Sequence, residues 1–262
     1  MTRLLKLGVF TIGLLAAAAL AVSAPAALAQ FNSTAPLHNP SQDKRDFSGI
    51  WTPDQSNIYS YPARGQRQFP PLKGKYAANY ETVLKAAAEG KVTNDPGANC
   101  LPGGMPRIMV NPYPMEVLHN KDRVTILFEY QNQIRRIFLD GRKHPEDIYP
   151  TYLGDSIGHW EGDVLVIETI GMRGDTMFDA TGIPHSDKIT VVERIYKESP
   201  TKLVDEITSI DPEALKEPWM VKRTYTLKPD FQIMENICLE NNRNPVDENG
   251  VTRTILADGV VK

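Results

Sequence analysis

From residue 115 to residue 238 the sequence repeats one local pattern, and that pattern limits what the chain can fold into. Short runs rich in Val, Ile, Thr, Tyr and Phe recur at 115–119, 123–130, 134–139, 156–160, 164–170, 189–196, 203–210, 219–227 and 231–238. Between them stand turn signals: Asn120-Lys121-Asp122, Gln131-Asn132, Asp140-Gly141, Glu161-Gly162-Asp163, Ser199-Pro200 and Pro229-Asp230. Such runs and joints predict neighbouring strands linked by hairpins, an antiparallel meander. No long helix separates them, so a parallel sheet is excluded at this level, because parallel neighbours need a long crossover. Nine or ten strands in one domain close into a barrel or fold into a sandwich. The expected class is all-β, with the meander closed into a barrel.

The first residues read as an address. Arg3 and Lys6 give a positive start, residues 7–22 are apolar without a charge, and Ala27-Leu28-Ala29 offers the small residues of a cleavage site. Cleavage after Ala29 makes 1–29 a signal peptide and Gln30 the first mature residue. The apolar run is short for a span, which takes roughly 20 residues, so no membrane span is expected after cleavage. The expected location is the periplasm or the outside of the cell. The 29 basic and 32 acidic residues leave a formal charge of −3 and no nucleic-acid footprint. Oligomeric state is not legible.

Export changes the reading of the two cysteines. Cys100 and Cys238 are an even count in an oxidising compartment, which favours one disulfide over two buried thiols. A lone pair without CxxC spacing argues against a metal.

Ahead of the strand-rich region, residues 30–46 are polar and without period, and are expected to form a flexible arm. Residues 47–241 are expected to form a single barrel domain, opened by the strand-like Phe47-Ser48-Gly49-Ile50-Trp51. Residues 52–106 form an irregular, proline-rich insertion, in which Lys75 to Glu89 is rich in Ala, Leu, Lys and Glu and predicts a helix ending at Gly90. Residues 242–262 are expected to be a loose tail.

Gly49-Ile50-Trp51 ahead of a meander resembles the Gly-x-Trp opening of lipocalins and other calycins, which implies a calycin-like barrel. Further segments are similar to an uncharacterised family of exported bacterial proteins: Cys100-Leu101-Pro102, Asp140-Gly141-Arg142-x-His144-Pro145, Pro150-Thr151-Tyr152, Ser156-Ile157-Gly158-x-Trp160-Glu161-Gly162-Asp163, Pro184-His185-Ser186-Asp187 and Glu240-Asn241-Asn242. That likeness implies a domain and no mechanism.

Chemistry is expected where charges interrupt apolar strand faces. Alternate residues of a strand share a face. This groups Glu193 with Ile189, Val191 and Ile195; Glu235 with Phe231, Ile233 and Ile237; Arg223 with Trp219, Val221, Tyr225 and Leu227; and Glu168 with Val164, Val166 and Ile170. A buried charge without a partner is costly, so these groups should pair or line a wet cavity. Arg136 or Arg194 could add positive charge. Glu193, Arg223 and Glu235 are expected to converge inside the barrel, with His185 at their opening. In the loops, His144 and His185 are the natural acid–base candidates because His titrates near neutral pH. Glu193 joins them as a catalytic candidate, and Arg223, Glu235, Glu168, Arg142, Asp187 and Trp219 are the ligand-binding candidates. His144, His159 and His185 lack HxH or HExxH spacing, and phosphate loops and a GxSxG elbow are missing, so neither a metal nor a cofactor is expected. Two functions compete. One is a barrel binding a small, partly apolar molecule; the other is a cofactor-free lyase, isomerase, hydratase or hydrolase working by His and carboxylate acid–base chemistry.

Overall fold

A computed structural model of the chain describes residues 40–54, 69–89 and 96–241. The expected signal peptide and the tail from 242 lie outside the described residues. Among the described residues nine strands form a closed barrel in chain order. They are β1 (Gly49–Pro53), β2 (Met115–Asn120), β3 (Arg123–Phe128), β4 (Ile134–Phe138), β5 (Asp155–Glu161), β6 (Val164–Ile170), β7 (Thr190–Ser199), β8 (Lys202–Ile210) and β9 (Trp219–Leu227). Helix α1 (Gly74–Ala88) and the single-turn helix α2 (Arg107–Val110) lie between β1 and β2, and a short α3 (Cys238–Asn241) follows β9. The barrel is consistent with the calycin-like architecture that the opening tripeptide resembles.

Trp51 explains why that tripeptide starts the barrel. Its side chain is fully buried, and its indole N–H donates to the Phe47 carbonyl at 2.8 Å. Strand β1 closes the ring by pairing with β2 on one side (Trp51 opposite Met115) and β9 on the other (Thr52 opposite Thr226). Inward-facing Val117, Ile126, Ile137, Leu165, Ile167, Val191 and Ile207 fill the interior at 3% exposure or less. Each such side chain stabilises the fold by about 1.5–3 kcal/mol on burial.

Two expectations about strands are corrected. The meander is antiparallel except at one seam, where β4 and β5 run parallel through Ile137 opposite Ser156 and Phe138 opposite Ile157. The irregular connection 139–154 makes the crossover. A parallel return needs about a dozen residues of chain, and those residues need not be helical. The second correction concerns 231–238. Residues 231–237 form no strand, and α3 begins at Cys238. Since β1 already occupies the free edge of β9, no edge remains there for another strand.

Both ends of the barrel are covered. At one end sits α2, just after the insertion: the Val110 carbonyl accepts from Arg223 Nη2 at 3.1 Å, and the Met109 carbonyl accepts from the Tyr225 hydroxyl at 2.7 Å. Met105 near the end of the insertion and Ile108 of α2, with Phe178 and Ile183 from the β6–β7 connection, join the same core. At the other end, residues 40–46, the last part of the arm expected to be flexible, are held down. Lys197 Nζ donates to the Ser41 and Asp43 carbonyls at 3.0 and 3.1 Å, and the Arg45 guanidinium lies 5.4 Å from the Trp160 ring centre.

A Cys100–Cys238 disulfide ties the insertion to the segment after β9, across 138 positions of sequence. On the chain-entropy view, a loop of that length stabilises the fold by about 4–5 kcal/mol.

Candidate functional site

The barrel interior carries a buried polar network built on Arg135, which faces inward from β4 beside Ile126 of β3. Its Nη1 donates to Glu193 Oε1 at 2.8 Å, and its Nη2 donates to Glu193 Oε2 and, at 2.9 Å, to Thr169 Oγ1. Nε reaches Ser156 Oγ at 3.3 Å, and the Ser156 and Thr169 hydroxyls join at 2.9 Å. Arg135 and Glu193 are 1% and 0% exposed. Burial pulls the Arg135 guanidinium down, but the adjoining Glu193 charge and hydrogen bonds outweigh it, and the net shift is upward.

Next to this pair sits Asp205, opposite Arg223 in the β8–β9 register and fully buried. Among the described residues neither of its oxygens has a hydrogen-bond partner. Burial first, and the Glu193 carboxylate second, push it well above the ordinary carboxylate range, against the pull of Arg135 and Arg223. The Tyr225 hydroxyl is raised by burial and then by Asp205. Two arginines and two carboxylates therefore share the interior.

Of the expected convergence, Glu193 and Arg223 both flank Asp205 from inside the barrel. Glu235 does not join them: it is exposed and outside any strand. His185 is buried and faces no opening. Its Nε2 lies 2.8 Å from Thr176 Oγ1, its Nδ1 lies 2.8 Å from the Ser186 carbonyl, and its ring meets Phe178 edge-on at 5.4 Å. Burial lowers its pKa, so the ring is held neutral. Trp219 packs edge-on against the same Phe178 at 5.4 Å. Asp187 is exposed, 3.4 Å from Lys188 Nζ.

Glu168 is on the outer face, because Leu165, Ile167 and Thr169 are the inward residues of β6. There it meets His144. His144 Nδ1 lies 2.6 Å from Asp155 Oδ2, while Nε2 is 3.3 Å from Glu168 Oε1 but off the line of a hydrogen bond. Arg142 pairs with Asp140 Oδ2 at 2.6 Å and lies 3.8 Å from the Phe138 ring centre.

The parallel seam produces a cleft. Only two positions of β4 and β5 are paired, and a groove of about 440 Å³ lies beside this short seam. Ile134, Arg136 and Phe138 line one wall, and Tyr152, Leu153 and Asp155 line the other. Its lining includes Arg135 and Ser156, so it reaches the residues that anchor the interior network. Arg136 is exposed, and among the described residues it has no ion-pair partner. Among the described residues no three His, Cys, Asp or Glu side chains gather as a metal site.

Arg135 and Asp205 are the site residues that sequence reasoning missed. In Ile134-Arg135-Arg136-Ile137-Phe138 either arginine shares a face with an apolar residue; only pairing with β3 sends Arg135 inward. Asp205 stands between Leu203 and Ile207 at alternate positions, a signal of the kind that marked Glu193. Against these features the comparisons with known proteins add no assignment: no family model and no curated protein matches the chain.

Proposed function

We propose that this chain is an exported barrel protein that binds a small, partly apolar molecule in the cleft between β4 and β5. The observation that carries this reading is the parted seam. Its groove lies within the range of small-molecule sites, roughly 300–1,000 Å³, and mixes apolar walls with a few polar groups as such sites do. The packed interior, covered at both ends, makes the side of the barrel the better site than its mouth. The disulfide fits an oxidising compartment and so supports the reading of 1–29 as a cleaved leader and of the protein as periplasmic or secreted. No helix among the described residues is long and apolar enough to cross a membrane.

Native mass spectrometry of the purified protein tests this. A small molecule retained by the wild type and lost from Ile134→Trp, which fills the groove from an exposed position, is the expected result. Equal retention by both would place the site elsewhere.

One observation favours the enzymatic alternative. His144 is oriented at 2.6 Å by Asp155, whose residue lines the same cleft. A cofactor-free acid–base reaction there would depend on that pair, and His144→Gln would abolish turnover while leaving binding intact.

A further inference from the structure

The cleft's charges are unevenly committed, and this points to the class of molecule it takes. Its carboxylate, Asp155, is engaged by His144 at 2.6 Å. The guanidinium of Arg135 is engaged by Glu193, and Arg142, stacked on the lining residue Phe138, is engaged by Asp140. Arg136 alone of these is exposed at the cleft with no ion-pair partner among the described residues. Beside it stand Ile134, Phe138, Tyr152 and Leu153, which offer aliphatic and aromatic surface.

We propose that the cleft selects small carboxylates with an apolar body, Arg136 holding the carboxylate and the Ile134–Phe138 wall holding the rest. This rests on the cleft-binding reading above and goes one step further, to charge. A planar guanidinium forks onto a carboxylate through two parallel N–H donors. The seam leaves room for such a group because Arg136 and Asp155 would stand side by side if the parallel pairing continued one position further, and they do not pair.

Three matched probes separate the outcomes: 3-phenylpropionate, 3-phenylpropanol and 3-phenylpropylammonium, titrated into the full-length mature protein and followed by amide shifts at residues 133–138 and 151–156. A charge-assisted contact predicts that the wild type binds the carboxylate about tenfold tighter than the alcohol, with the ammonium weakest. Arg136→Gln should erase that preference and Arg136→Lys should restore part of it. Arg194→Gln, an exposed arginine paired with Glu161, should leave it unchanged. Equal binding of alcohol and carboxylate at the cleft would overturn the carboxylate preference while sparing the cleft as a site. A carboxylate preference that survives Arg136→Gln would overturn Arg136 as its anchor. Absence of cleft shifts with all three probes would overturn both readings.

Discussion

Two arginines and two carboxylates share the barrel interior, and they are not equivalent. Arg135 and Glu193 satisfy one another through a fork, with Thr169 and Ser156 taking further donors. Breaking one partner of a buried pair costs about 3–5 kcal/mol, so Glu193→Gln should lower the unfolding free energy by that amount in urea. A loss below about 1 kcal/mol would contradict a tight pair. Asp205 behaves differently, because its pKa is raised on folding. The folded state then holds its proton more firmly than the unfolded chain does. The contribution of Asp205 to wild-type stability therefore falls as pH rises from the ordinary aspartate range, about 4, towards the folded value. Asparagine has no such titration. The stability of Asp205→Asn relative to wild type should rise over that window and level off above it, in urea melts from acid to neutral pH. A relative stability that falls with pH would mean that Asp205 is a stabilising anion beside Arg223.

At the scale of elements, the seam between β4 and β5 depends on how the crossover 139–154 is seated. Gly154 ends it with φ at +68°, and a Cβ there would lie 2.5 Å from the Ile170 carbonyl oxygen. The left-handed conformation costs a non-glycine residue about 1–2 kcal/mol before any clash. Gly154→Ala should thus lose at least about that much stability, read from the denaturant midpoint, and should disturb the cleft wall made by Leu153 and Asp155. An unchanged midpoint would contradict the tight seating. The same scale shows what alternation made legible. In β7 and β9 one face alone is uniformly apolar between its charges, and Glu193 and Arg223 do face inward. In β6 both faces are apolar, so alternation could not decide, and register with β5 and β7 turned Glu168 outward. The apolar alternation of 231–238 suggested a strand, but a closed ring has no edge to pair it. The parallel seam was hidden because its crossover lacks the helix that usually announces one.

For the whole molecule, the closed barrel with its strands in chain order, the helix in the insertion and the Cys100–Cys238 bond were readable from turn signals, composition and cysteine count, while the run at 231–238 made the expected strands one too many. The candidate site was not. It arises where two strands distant by a crossover meet for only two residues, and no single run of sequence encodes that gap. On the proposed reading the binding place lies on the barrel's flank and not at its mouth, since Lys197 holds the arm over one end and α2 packs with Phe178 and Ile183 at the other. The most direct test is amide-shift mapping of the labelled protein with 3-phenylpropanol, a probe that carries no charge. Binding at the flank predicts shifts concentrated at residues 133–138 and 151–156, with the inward residues Val191, Glu193, Arg223 and Tyr225 unmoved. Shifts centred on those inward residues, with the cleft silent, would contradict it and return the site to the barrel interior.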